Sequence, residues 1–236
     1  MPHTVNDQVA IVMVRFRVRG IVRFLSHAET LRVLHRACAR AKIEVQYTQG
    51  FNPRPRMSLP LPRPVGVESD DELLSLRVRC DNGFSRILLD EQQAEQYKAQ
   101  VRARLSEQLP DGFEVFSVDL AAVGSSFQPR SVTYLFSLSE QYLQSFGESL
   151  KSKALTLMDS RTLNVDRRVD EKGTVRRLDV RPFLKSVEVR DKDVVAQCFV
   201  TPTGSIRVDE ILALLELDPE ELSGPSRRIS VEWQKA

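Results

Sequence analysis

A histidine and a carboxylate stand two residues apart in the segment LSHAET, at His27 and Glu29. Ser26 followed three residues later by Glu29 has the spacing of a capping box, which predicts that a helix begins there. The free N–H groups and dipole of a helix start favour an anion and help to keep a histidine neutral. His27 and Glu29 are therefore candidates for acid–base catalysis. The structural alternative is that Glu29 only closes the box and His27 only fills the first turn.

The segment GFNPRPR supplies a second candidate site, with Asn52, Arg54 and Arg56 alternating with Pro53 and Pro55. Proline fixes φ and keeps the preceding residue extended, so these arginines would be held on a stiff backbone. Stiff guanidinium groups suit phosphate or carboxylate recognition. The alternative is a rigid loop whose arginines pair with acids of the same protein.

Two further groups of arginines are predicted to lie on strands. VRFRVR alternates apolar residues with arginines, which predicts a strand with an arginine face. Residues 161–181 read as a basic β-hairpin that could follow a nucleic-acid backbone, although interspersed acids make self-pairing an equal alternative. With the residues above, the expected anion-binding or nucleic-acid-binding set is Arg15, Arg17, Arg19, His27, Asn52, Arg54, Arg56, Arg176, Arg177 and Arg181. No stacking aromatics alternate with the hairpin charges, so we expect phosphate contacts rather than base stacking.

Charge is uneven along the chain. Residues 1–70 carry eleven basic and five acidic side chains, a net +6, whereas the whole chain of 236 residues carries +2. A basic first segment favours an anionic partner. The three cysteines and three histidines are scattered, so no metal centre or cofactor is expected. The sequence contains no signal-type start or membrane-length apolar run, which indicates a cytoplasmic protein without membrane contact.

Alternating and helical patterns predict an α+β protein made of two tandem ferredoxin-like (split βαβ) domains with antiparallel sheets. The predicted domains are 1–123 and 131–236, joined by a linker at 124–130, and the second domain carries the inserted hairpin 161–181. A polar helix is predicted from about Ser85 to Leu109. MSLPLP at 57–62 is predicted to be extended at a sheet edge, because Pro60, Pro62 and Pro64 would remove N–H donors from one side only.

Residues 19–78, from RGIVRFLSH through GFNPRPRMSLPLPRPVGVES, resemble the N-terminal signature of the radical-SAM-linked protein family, a bacterial domain of unknown function. VRRLDVRPFL at 175–184 is similar to the second motif of that family. At Glu29 the family more often has Asp. The family's members are encoded beside or fused to radical-SAM proteins, and in some genomes near genes for RNA processing and ribosomal proteins.

The resemblance implies a radical-SAM protein as partner and a connection to RNA or translation. Since the three cysteines form no cluster motif, this chain would act beside the iron–sulfur enzyme and not as that enzyme. We therefore expect a non-catalytic protein that binds RNA, or positions RNA or a ribonucleoprotein for the radical-SAM partner. The alternatives are an RNA-modifying or RNA-processing enzyme that uses His27 and Glu29, and an adaptor that contacts only protein.

Overall fold

A computed structural model describes residues 8–80, 90–168 and 173–235. The protein is α+β with a mostly antiparallel sheet, and the described residues include four α-helices. Two compact units can be distinguished. The first draws its described residues from Met1–Val65, Ser69–Gln128 and Lys235–Ala236, and the second from Gly66–Glu68 and Pro129–Gln234.

The first unit contains four strands in the spatial order β4-β1-β3-β2. Strand β1 is antiparallel to β3 and to β4, and β2 is antiparallel to β3. The elements are β1 (Gln8–Val18), a 3₁₀ helix (Gly20–Phe24), α1 (His27–Arg40), β2 (Met57–Ser58), β3 (Glu68–Cys80), α2 (Glu91–Gln108) and β4 (Phe113–Ala121).

One face of this sheet packs against α1 and α2. Phe16 in β1, Leu34 in α1 and Leu105 in α2 are fully buried in one apolar cluster. As predicted, the residues buried at every second position of β1 pack against the residues buried at helical spacing in α1. The odd-numbered residues Arg15 and Arg17 lie on the opposite face of the sheet, which we call the helix-free face.

The second unit repeats this sequence of elements and adds a hairpin. Its strands lie in the order β10-β5-β9-β8, while β6 and β7 form a separate antiparallel pair. The elements are β5 (Phe127–Ser137), α3 (Glu140–Asp159), β6 (Asn164–Arg168), β7 (Val175–Asp179), a 3₁₀ helix (Arg181–Phe183), β8 (Leu184–Arg190), β9 (Asp193–Phe199), α4 (Val208–Leu215), a 3₁₀ helix (Pro219–Glu221) and β10 (Arg227–Lys235).

The proline stretch differs from the extended edge strand expected over 57–62. Ladder pairing stops at Ser58, and Leu59 turns into the core. The next arginine, Arg63, is buried and donates to the carbonyls of Val22, Arg23 and Leu25 at 3.4, 2.6 and 3.1 Å. These contacts tie the stretch to the segment that leads into α1.

Two other boundaries differ from expectation. Strand β5 begins at Phe127, so the last residues of the expected linker at 124–130 belong to a strand. The polar helix is described from Glu91, with Asp90 accepting from the N–H groups of Gln92 and Gln93. Residues 81–89, which include the first residues of that predicted helix, lie outside the described residues, as do residues 169–172 of the predicted hairpin.

Candidate nucleic-acid interface

The segment 46–56 is a closed loop on the first unit. Its two arms are joined by hydrogen bonds from Arg56 N–H to the Gln46 carbonyl, 2.7 Å, and from Thr48 N–H to the Arg54 carbonyl, 2.8 Å. The Thr48 hydroxyl accepts from Arg54 N–H at 2.9 Å. Residues 49–53 form the tip, where Gly50 has φ of +124°, a region that favours glycine.

Helix α1 braces this loop. His35 Nε2 and the Tyr47 hydroxyl are 2.7 Å apart in a hydrogen bond, and the two rings meet edge to face with centroids 6.0 Å apart. The loop is therefore anchored to the middle of the helix through a side chain of its first arm. This contact, together with the backbone bonds, holds the tip away from the core.

The tip presents an aromatic ring and a cation to solvent. Phe51 is fully exposed, and its neighbours Asn52 and Arg54 are exposed as well. On α1, Arg32 and Arg36 are exposed one helical turn apart. We call these five residues, Phe51, Asn52, Arg54, Arg32 and Arg36, the loop surface. Phe51 was not among the candidate residues because these were chosen by their charge or polarity. The feature of the sequence that could have identified it is an apolar residue in a loop between Gly50 and Asn52-Pro53.

Glu29 is used by the helix cap. Its carboxylate accepts from Ser26 N–H at 2.9 Å and from the Ser26 hydroxyl at 2.7 Å, while Glu29 N–H donates back to that hydroxyl at 3.3 Å. The hydroxyl and backbone bonds from Ser26, helped by the charge of Arg32, lower the pKa of Glu29. A carboxylate with a lowered pKa is a poor proton donor near neutral pH, so the capping interpretation fits Glu29 better than catalysis.

His27 and the loop tip are not brought together. His27 is half-buried at the first position of α1, whereas the loop is anchored at His35, eight residues along the helix. At a rise of about 1.5 Å per residue, these two histidines are separated by about 12 Å along the axis. A single pocket that combined His27 and Glu29 with Asn52 and Arg54 would have favoured the catalytic alternative, but the helix cap and the anchor of the loop lie at different places along α1.

The arginines of β1, and Arg19 just after the strand, are paired within the first unit. Arg15 forms a two-pronged pair with the buried carboxylate of Asp71, with contacts of 3.0 and 2.7 Å. Arg17 pairs with Glu114, and Arg19 Nη2 lies 2.8 Å from an oxygen of Asp70. The expected arginine face therefore exists, but its charges are largely offset by acids of β3 and β4.

An aromatic ring lies between two of these arginines. The register of β1 with β4 shifts so that Arg15 lies opposite Ser117 and Phe16 opposite Val115, which makes Phe116 the extra residue of a bulge. The guanidinium carbons of Arg15 and Arg17 lie 5.4 and 5.0 Å from the centre of the Phe116 ring. Both distances allow cation–π attraction.

In the second unit, Arg167 of the hairpin serves as an anchor. It donates two hydrogen bonds to the Glu210 carboxylate, 2.7 and 2.6 Å, and one to the Ser205 carbonyl, 3.0 Å. Burial alone raises the pKa of Glu210, but the bonds from Arg167 and from Arg207 N–H outweigh burial and lower it. The hairpin is thereby fastened to α4.

Of the three hairpin residues predicted to bind an anion, Arg181 is also occupied internally. Its guanidinium donates to the carbonyls of Met158, Ser160 and Leu184 at 2.8, 3.0 and 2.9 Å, and so caps the end of α3. Arg176 and Arg177 are exposed on β7. Only these two remain open to a ligand.

Arg56 lies apart from the loop surface. It is half-buried and lines a groove on the helix-free face of the sheet, together with Arg77 of β3. The carbonyl of Arg56 accepts from Arg77 N–H at 2.9 Å. Sequence spacing did not identify Arg77, because it stands 21 positions from Arg56 and becomes its neighbour only through strand pairing.

The thiols of Cys38 and Cys198 are buried. Burial raises the pKa of Cys38 and of Cys198 to about 12, so neither thiol is poised as a nucleophile. Within the described ranges, His, Cys, Asp and Glu form no group of three that could hold a metal ion. No helix in the described part of the chain combines the length and apolar character needed to cross a bilayer.

The chain has been compared with known proteins. No curated protein matches it. Among solved structures, the small subunit of acetolactate synthase from Thermotoga maritima is similar, with 10% identity over 97% of this chain and 98% of that one, but the TM-score is 0.22. Such a low TM-score carries no argument about fold or function. A family model matches residues 12–208, most of the chain, and the protein therefore belongs to the family described as "Uncharacterized protein conserved in bacteria (DUF2344)".

Proposed function

We propose that this protein binds single-stranded RNA without catalysing a reaction, and that the loop surface is the principal contact. The observation that carries the proposal is the full exposure of Phe51 on a braced loop, beside exposed Asn52 and Arg54. An aromatic face with nearby guanidinium groups is the combination that binds unpaired bases and their phosphates.

The free-energy scale supports a ligand for this ring. Burying a phenylalanine side chain stabilises a folded protein by roughly 1.5 to 3 kcal/mol, and the exposed Phe51 does not contribute this stabilisation. A base stacked on an aromatic side chain contributes about 1 to 3 kcal/mol, so one nucleotide could recover that amount. The hydrogen bonds between the two arms hold the backbone of the loop in place, which lowers the entropic cost of binding.

Phosphate contacts are assigned to the arginines that remain open. Arg32, Arg36 and Arg54 lie on the loop surface, and Arg176 and Arg177 form a second exposed pair in the hairpin. The β1 arginines are less suitable because Asp70, Asp71 and Glu114 already offset them.

We also infer that the two units are tandem ferredoxin-like domains. The orders β4-β1-β3-β2 and β10-β5-β9-β8 support this, since each places the first and third strands of its unit at the centre, as a split βαβ unit does. The resemblance of residues 19–78 to radical-SAM-linked proteins supports a radical-SAM protein as the partner to which bound RNA would be presented.

Fluorescence anisotropy with a labelled single-stranded RNA over a salt series tests RNA binding. Phe51→Ala should weaken binding roughly tenfold with little change in the salt slope, because stacking is not ionic. Arg54→Ala should reduce the slope of log K against log salt by about 0.7, the contribution of one phosphate contact on a single strand.

Matched controls come from the second unit. Phe146→Ala removes another exposed ring, and Arg190→Ala removes an exposed arginine that pairs with Glu188; neither should alter RNA affinity. If the wild-type protein shows no salt-sensitive binding, or if Phe51→Ala and Phe146→Ala behave alike, the proposal is wrong.

The partner is tested by co-purification from cells, with and without nuclease. Loss of a radical-SAM protein after nuclease treatment would support RNA-mediated association. Retention of that protein, combined with absent RNA binding, would instead support the adaptor function.

A further inference from the structure

A groove of about 290 Å³ on the helix-free face of the first unit has features of an anion site. Its walls include the side chains of Arg56, Ser58, Ser75, Arg77 and Ser125, over the apolar Ile11. The volume is at the small end of the range for ligand pockets. Unlike the β1 arginines, the two arginines here have no carboxylate among the residues that line the groove.

Strand pairing brings Arg56 and Arg77 to neighbouring positions, and both line the same groove. Met57 pairs with Leu76 and Ser58 with Ser75, so the same register continued by one residue places Arg56 opposite Arg77. One ladder bond, from Arg77 N–H to the Arg56 carbonyl at 2.9 Å, agrees with that register, while Arg56 N–H leaves the ladder and donates to the Gln46 carbonyl. Side chains opposite each other on antiparallel strands have Cβ atoms about 5 Å apart, and like charges in that arrangement repel.

One side-chain donor of the pair, Arg56 Nε, is buried and unpartnered within the described residues. Buried polar groups of this kind normally have a partner, because each unpaired donor costs free energy. Arg15, on the same helix-free face, differs from Arg56 because its guanidinium donates two hydrogen bonds to the buried carboxylate of Asp71.

We propose that this groove binds the phosphate dianion of a phosphomonoester. Two guanidinium groups match a double negative charge, and the hydroxyls of Ser58, Ser75 and Ser125 can donate to the remaining oxygens. A carboxylate would offset one charge and leave the second uncompensated. The phosphate can belong to a small metabolite or to the terminus of an RNA, and binding here does not require that the loop surface bind RNA.

Thermal unfolding with inorganic phosphate tests the site. Phosphate should raise the Tm of the wild-type protein, because a ligand of the native state stabilises it. Arg77→Gln should abolish that response and should also raise the Tm in phosphate-free buffer, since it removes the repulsion with Arg56. Arg104→Gln, at an exposed position of α2, is the control and should leave the phosphate response unchanged.

Arg56→Gln provides the reciprocal variant, with the same two expected changes, should Arg77→Gln fail to fold. The proposal is overturned if phosphate does not raise the wild-type Tm, if acetate at equal ionic strength raises it as much, or if both glutamine variants keep the phosphate response.

The source of the phosphate is distinguished with one RNA prepared with a 5′-phosphate or a 5′-hydroxyl. Tighter binding of the phosphorylated form, lost in Arg77→Gln, identifies an RNA end as the ligand. Equal binding of both forms, with the response to inorganic phosphate intact, identifies a small phosphomonoester. Failure of Phe51→Ala to affect RNA binding would count against the loop surface alone, because the phosphate response does not depend on Phe51.

Discussion

At the scale of single residues, the arginines of this protein differ in function although they look alike in the sequence. Arg15 is neutralised by an acid, Arg63 and Arg181 hold backbone carbonyls, and Arg54 and Arg77 face solvent or a groove. The partners that decide between these functions come from distant positions. Arg15 and Asp71, for example, are 56 residues apart.

Arg63 allows a direct test of a structural arginine. Arg63→Met keeps much of the side-chain volume but leaves the carbonyls of Val22, Arg23 and Leu25 without this donor. We expect a loss of roughly 2 to 3 kcal/mol in the free energy of unfolding, the scale for hydrogen bonds to a charged group in a partly buried site. Urea denaturation measures the loss.

Arg54→Met is the matched control, because Arg54 is an exposed arginine of the same proline-rich stretch. It should change stability by no more than about 0.5 kcal/mol. Equal effects of the two substitutions would contradict the structural role assigned to Arg63.

The sequence allowed the backbone of the loop to be predicted better than its chemistry. Alternating prolines predicted a stiff segment around Arg54, because proline restricts φ whatever the rest of the fold does, and hydrogen bonds between Thr48 and Arg54 close this segment into a loop. The exposure of Phe51 could not be predicted, since the local sequence does not show whether a loop residue packs against a distant part of the fold. The neighbour of Arg56 could not be predicted either, because it depends on strand register.

At the scale of elements, Gly112 determines how β4 approaches the end of β1. Its φ is +95°, and its carbonyl accepts from Arg19 N–H at 2.8 Å. A Cβ atom at this position would lie 2.4 Å from the Arg19 carbonyl oxygen and 2.6 Å from a methyl carbon of Val22. Gly112→Ala should therefore destabilise the protein by at least about 2 kcal/mol, through strain at positive φ and through this collision. Chemical denaturation provides the measurement.

Gly147→Ala is the opposite case and serves as the comparison. Gly147 lies within α3, and an added Cβ would meet only a methyl carbon of Leu143 at 3.9 Å, an ordinary contact. Alanine is the better helix former by about 1 kcal/mol, so this variant should be more stable than the wild type. Destabilisation by both substitutions to the same extent would refute the assignment of Gly112.

The elements themselves follow closely from local signals. The capping box fixed the start of α1 at His27, and the alternation of Val14, Phe16 and Val18 identified the buried face of β1. Strand β2 is shorter than predicted. A run of alternating prolines is compatible with an extended strand, but Leu59 leaves the ladder and is buried in the core. Local pattern does not show where a tertiary contact ends a strand.

At the scale of the whole molecule, each unit contains a buried thiol, Cys38 in the first and Cys198 in the second, that titrates differently after unfolding. Burial raises the pKa of Cys38 and Cys198 from 9.0 to about 12. Above pH 9 the unfolded chain releases these protons while the native protein keeps them, so stability must fall as pH rises towards 12. The limiting slope is about 1.4 kcal/mol per pH unit for each thiol.

Urea unfolding between pH 8 and pH 11 measures this slope. The double variant Cys38→Ala with Cys198→Ala should show a shallower decline than the wild type, whatever its stability at pH 8. An unchanged slope would mean that other groups account for the alkaline sensitivity.

The bulge at Phe116 has a consequence for how any ligand could meet the sheet. Arg15 and Arg17 lie within cation–π distance of that ring, so its π-system is already engaged by side chains of the same unit. A nucleobase approaching Phe116 would have to compete with two tethered cations, one of which is held by Asp71. An incoming base would meet less competition at the fully exposed Phe51, for which the described residues show no cation–π contact.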